Sequence, residues 1–208
     1  MAEYNEVVSP LPYFGNITFY AHLVQQDMLI DLHEHYVKQS LRNRCELLGS
    51  QGPFTLSVPI HRPSGVKTPC KDIRISYAGN WQHEHLQAIR SAYGSAPFFI
   101  HYIDAIESAL SQNPEYLVDL NRVLHEALAP LIGVPATLRM SDRYIESTPG
   151  VDLRPSMKTG RLQNERYIQV FSDRMDFVPD RSILDLLFCL GPECTDYLLR
   201  QSFAPPTS

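Results

Sequence analysis

The chain has 208 residues, a formal charge of -5, 44% hydrophobic and 20% charged residues, a size and balance that fit one domain able to bury a sizeable core. A pI near 5.9 argues against holding duplex nucleic acid through a net positive field. No cationic leader opens the sequence and no uncharged apolar run approaches the roughly 20 residues of a membrane span. A cytoplasmic location is expected, with Cys45, Cys70, Cys189 and Cys194 as reduced thiols, since none forms a CxxC pair.

In chain order, Val7-Val8 opens a short strand that breaks at Pro10 and Pro12. Ile17, Tyr20, Ala21 and Val24 then fall at helical spacing, with Asn16 or Thr18 available as cap. Met28–Leu32 is an apolar run suited to a buried strand, which makes a β-loop-α-β opening of a parallel sheet. The Pro10–Gly15 loop then lies beyond a strand C-terminus, where such sheets bind ligands, and reads equally as a rigid packed connection. From Tyr36 to Ile75 helical periodicity is lost. Turn residues at Gly49–Pro53 and Arg62–Gly65 predict antiparallel strands, with Phe54–Ile60 among them and Asp72–Ser76 closing the group.

Helices are predicted from Asn80 to Tyr93, with Trp81, His85, Ile89 and Tyr93 on one face, from Phe98 to Leu110, and from Pro114 to Ile132. Ala136–Ser141 reads as a return strand, a long polar connection spans Asp142–Asn164, and Tyr167–Phe171 reads as a strand. Ser182 caps a helix to Gly191, with Asp185 at the capping-box position, and another helix follows from Pro192. The expected fold class is α/β. It has a partly parallel Rossmann-like sheet, an inserted antiparallel β-segment at about 36–76, a helical layer and a C-terminal strand-helix cap at about 165–202 of a single domain, 1–208.

The stretch Lys38-Gln-Ser-Leu-Arg-Asn-Arg-Cys45 concentrates three cations and several amides or hydroxyls in an acidic protein. As a strand it would place Lys38, Ser40, Arg42 and Arg44 on one face, a surface suited to phosphate or carboxylate. The same residues would equally serve a solvated edge strand guarded by charge. Cys45, beside two arginines, is the thiol whose surroundings favour thiolate. His33-Glu-His35 and His83-Glu-His85 lack the His-Glu-x-x-His spacing of a helical zinc site, and no metal or cofactor is expected. His85 is either a packed core imidazole or a site residue. No Gly-x-Ser-x-Gly elbow, P-loop or Gly-x-Gly-x-x-Gly occurs.

Several stretches in the same order along the chain carry a resemblance: Leu11–Tyr20, Asp27–Leu32, Lys38–Arg44, the pair Trp81 and His85 with Ala96-Pro-Phe98, and Leu117–Asn121. Tyr167–Phe171, Ser182–Phe188 and Gly191-Pro-Glu193 extend it. The sequence resembles the WbqC-like family of bacterial surface-polysaccharide and O-antigen gene clusters. It departs from that pattern at Ser9–Gly15, at Asp31-Leu-His33 and at Cys45.

The resemblance implies a transferase moving an aminoacyl or glycyl group to an amino sugar or nucleotide sugar. The substrate would be an anionic small molecule, a nucleotide sugar or an acyl donor. It implies Tyr13 and Phe14 stacking on a ring, Gln39 and Asn43 orienting a polar group, and Arg42 with Arg44 clamping an anion. Trp81 would join them, with His85 as general base. Alanine at Arg42 or Arg44 is expected to leave stability nearly unchanged, as at surface positions. Rival readings are a non-catalytic anion- or nucleic-acid-binding module and a scaffold of a polysaccharide-assembly complex. The absence of aromatics along the basic stretch disfavours RNA.

Overall fold

A computed structural model describes residues 6–61, 67–155, 162–163 and 165–203. The Arg62–Gly65 turn, part of the 142–164 connection and the 204–208 tail lie outside the described residues.

The centre is a parallel four-stranded sheet. Strand β1 (Glu6–Ser9) leads through helix α1 (Ile17–Gln25) to β2 (Asp27–Ile30), and the β-α-β opening expected from the sequence is present, with Val7 opposite Met28 and Ser9 opposite Ile30. Asn16 caps α1 by accepting the Phe19 amide. A hairpin follows, β3 (Arg44–Gly49) and β4 (Gly52–Ser57). Its register pairs Gly49 with Gly52, so two residues make the turn, and Gly52 at φ +113 supplies the backbone angle that a side chain would oppose.

Three helices form the layer over this framework: α2 (Trp81–Tyr93), α3 (Phe99–Leu110) and α4 (Leu117–Ile132). The expected stripe of α2 is buried: Trp81, His85, Ile89 and Tyr93 all face the interior. Gly133, left-handed at φ 82, ends α4. Strands β5 (Arg139–Met140) and β6 (Val151–Asp152) complete the sheet in the order β5-β2-β1-β6. The C-terminal part holds β7 (Leu162–Gln163), α5 (Ile183–Leu190), α6 (Cys194–Arg200) and β8 (Ser202–Phe203), with β7 and β8 antiparallel. One core of aliphatic and aromatic side chains joins sheet, hairpin and helices.

Four local expectations change. The basic stretch is not a strand before Arg44. Gln39 takes a left-handed φ of 57, Ser40 Oγ donates to the Val37 carbonyl and Asn43 Nδ2 to the Val58 carbonyl, and such side-chain bonds compete with a ladder. Tyr167–Phe171 is not a strand either. The Gln169 side-chain amide does the pairing instead, accepting the Val178 amide and donating to its carbonyl, both at 2.9 Å. Asp72–Ser76 makes isolated bridges, Ile75 to Ile60 and Arg74 to Tyr116, rather than a strand. The helix expected from Asn80 begins at Trp81, and Asn80 makes no side-chain cap bond to it.

Candidate functional site

Two neighbourhoods follow from this framework. The first lies beyond the C-terminal ends of the parallel strands, where open α/β sheets place ligands. Asp31, fully buried, follows β2 directly. Its carboxylate accepts the amides of His33 at 2.9 Å, Glu34 at 3.1 Å and Ile145 at 3.2 Å, and Arg154 Nη1 at 2.7 Å. Arg154 follows β6 and is also held by Asp152 through Nη2 at 2.7 Å. Arg42 Nε donates to Glu34 at 2.7 Å, and its Nη2 also reaches the Arg154 carbonyl at 3.2 Å. Burial pushes the Glu34 carboxyl up, and Arg42 opposes that shift. The place where a ligand would sit is thus occupied by an internal network of three acids and two guanidinium groups.

The second neighbourhood is a hollow of about 250 Å³ between the Tyr36–Asn43 turn and the end of β4. Lys38, Gln39, Asn43 and Arg44 line it together with Tyr36 and Ser57. The Tyr36 hydroxyl donates to Asn43 Oδ1 at 2.7 Å, which fixes the amide and turns its Nδ2 to the Val58 carbonyl. Among the described residues no carboxylate belongs to the lining, and neither Lys38 nor Arg44 forms an ion pair. Arg44 Nε is buried without a hydrogen-bond partner, a donor left to be satisfied.

The residues singled out in the sequence therefore separate. Gln39, Asn43 and Arg44 share the hollow. Arg42 does not join Arg44 in a clamp, because it is 3% exposed and committed to Glu34. The expectation that its removal would be as harmless as at a surface position is overturned by that burial. Tyr13 and Phe14, 0% and 1% exposed, are core residues with no face open to stack on a ligand. Trp81 is buried edge-on against His85. Cys45 is enclosed, and burial pushes its thiol up, so the arginines beside it in sequence do not make it a thiolate. Asp31, Glu34, Tyr36 and Arg154 were not singled out. Asp31 carried a readable signal, as the first charge after an apolar parallel strand.

His85 is buried behind the hollow. Its Nδ1 lies 2.8 Å from the Tyr13 hydroxyl, and a second hydrogen bond joins the ring to the Ser57 backbone. Ser57 is the β4 residue opposite Arg44. Burial lowers the imidazole to about 4, so the ring is neutral at pH 7. Because the folded value lies below the unfolded one of 6.5, its contribution to stability is complete above pH 6.5 and is lost as pH falls towards 4. Wild-type protein should lose roughly 2–3 kcal/mol over that window through this group. In urea titrations at pH 7 and pH 4, His85→Gln should narrow the gap by that amount; an unchanged gap would show the ring does not titrate.

A model of the WbqC-like protein family matches residues 11–154. The chain belongs to the WbqC-like family. Every residue of the hollow and of the Asp31–Arg154 network lies in the matched stretch. This WbqC-like protein is also 26% identical over 224 residues to an uncharacterized protein of Mycobacterium tuberculosis, across 89% of this chain and 91% of that protein. No solved structure matches. No helix among the described residues is long and apolar enough to cross a membrane.

Proposed function

We propose that this WbqC-like protein binds an anionic small molecule in the Lys38–Arg44 hollow and acts as a transferase of bacterial surface-polysaccharide biosynthesis. The phosphate-bearing end of a nucleotide sugar or an acyl donor would occupy the hollow. The supporting observation is the lining itself: among the described residues it has two cations without ion pairs, a positioned amide and no carboxylate. At about 250 Å³ it is smaller than a pocket for a whole drug-sized ligand, roughly 300–1,000 Å³, and suits one charged end of a longer molecule. An aminoacyl or glycyl group passed to an amino sugar is the reaction that the family resemblance favours. His85 serves in this reading as a positioning residue, tying the Tyr13 loop to the strand that carries Ser57.

One observation favours a second reading, a non-catalytic anion-binding module. Among the described residues the lining contains no histidine, cysteine or carboxylate to move a proton. Calorimetric titration with inorganic pyrophosphate and UDP-glucose tests binding, and turnover assays of a nucleotide sugar or acyl donor with an amino sugar separate the two readings. Arg44→Ala should weaken binding by about ten- to a hundredfold, the worth of a charged hydrogen-bonding partner, while leaving the melting temperature nearly unchanged. Equal affinity in wild type and variant, or no binding by wild type, would remove this hollow as the site.

A further inference from the structure

We propose that two copies of this chain pair through the ridge at Arg166–Gln169 and the hollow beside it. Two open hollows adjoin here, of about 610 Å³ and about 310 Å³. Arg166, Tyr167, Ile168, Gln169 and Ser172 line both, so this stretch is the ridge between them. Exposure alternates along it: Ile168 is 81% exposed and Gln169 only 2%. The inward side chains fix its shape. Gln169 bonds both backbone groups of Val178 and the Asp185 carboxyl, and the Tyr167 hydroxyl donates to the same carboxyl. An isoleucine is thereby held out in water, where its apolar surface gains nothing for a single chain. A knob already fixed in place loses little entropy when a second surface covers it.

The larger hollow complements this ridge in shape and in charge. Pro97, Val170 and Leu190 give it apolar wall. Of its charges, Glu165 is paired with Arg200 at 3.3 Å and Asp173 with Arg174 at 3.0 Å. Arg166 and Glu193 are exposed and form no ion pair among the described residues. Glu193 lines only the larger hollow and Asp176, also unpaired among the described residues, only the smaller, whereas Arg166 lines both. A ridge bearing an apolar knob and an unpaired cation therefore lies beside a hollow bearing apolar wall and an unpaired anion. A surface that carries both halves of one contact is self-complementary, the condition for a two-fold dimer, in which each contact is made twice. Ile168 of each copy enters the larger hollow of the other, and Arg166 of each meets Glu193 of the other. This surface shares no residue with the Lys38–Arg44 hollow, so the pairing stands or falls apart from anion binding.

Sedimentation velocity of the full chain tests the pairing. The wild type should pass from monomer to dimer as concentration rises, with a Kd of roughly 1–100 μM, the weak end expected of a modest interface. Ile168→Asp should weaken dimerisation at least about tenfold, as loss of a central apolar anchor does, and leave the melting temperature nearly unchanged. Arg166→Glu sets acids against acids across the axis, and Glu193→Arg sets bases against bases, so each variant alone should associate about tenfold more weakly than wild type. An equimolar mixture of the two should dimerise again, because every charged contact then joins opposite signs. The proposal fails if the wild type stays monomeric throughout that range, if Ile168→Asp dimerises as tightly as wild type, or if the mixture associates no better than either charge variant alone.

Discussion

Arg42→Ala should destabilise the protein by roughly 3–5 kcal/mol, the usual result of removing one member of a buried ion pair. The side chains of Arg42 and Glu34 are 3% and 6% exposed, so water cannot replace the lost guanidinium. Glu34 would keep only its weak contact from Cys70 Sγ at 3.8 Å, and the Arg154 carbonyl would lose a donor. Chemical denaturation at pH 7 measures the loss. Replacing both partners with apolar residues, Arg42→Met with Glu34→Leu, should recover most of it, because the larger penalty comes from the stranded charge rather than from the absent attraction. A single variant with wild-type stability would mean that Arg42 is not enclosed.

Asp185→Ala should cost a similar amount, roughly 3–5 kcal/mol, since it strands several buried donors at about 1–3 kcal/mol each before relaxation. Tyr167 and Gln169 lose the acceptor that holds the 165–178 segment, and Tyr93 loses the group that orients its hydroxyl towards Leu48. The effect should therefore spread to the hairpin. Hydrogen exchange of the Leu48 amide should accelerate together with the exchange of Val178. Faster exchange at Val178 alone would show that Tyr93 holds the hairpin without Asp185. Asp185→Asn should recover part of the loss, because its oxygen still accepts while its amide faces donors.

Where the sequence was legible, one period governed a whole element. The four-residue recurrence of Trp81, His85, Ile89 and Tyr93 predicted a helix with all four on one face, and that face is buried. The apolar run at Met28 and the return near Met140 were each legible as a strand, and the two pair in parallel with Ile30 opposite Met140. Legibility failed where side chains replaced backbone pairing. Gln169 imitates a strand partner for Val178, and Ser40 and Asn43 fold the basic stretch into turns. Nothing in the spacing of Arg42 and Glu34 announces an ion pair, because the turn between them, with Gln39 left-handed, sets their meeting. The basic stretch is contiguous in sequence but not in space. Its charges divide, Arg42 to the interior and Arg44 to the hollow, because strand alternation begins only at Arg44.

The order of the parallel sheet also bears on how the chain matures. Strand β2 lies between β1 and β5, while β1 is flanked on its other side by β6, and both outer partners arrive on the order of a hundred residues later, a separation that slows assembly. On the ribosome, Val7, Val8 and Ile30 must therefore wait, incompletely covered, until Met140 and Asp152 emerge. A nascent chain halted near Gly133 would present both flanks of a two-stranded ribbon to any chaperone or neighbouring strand in reach.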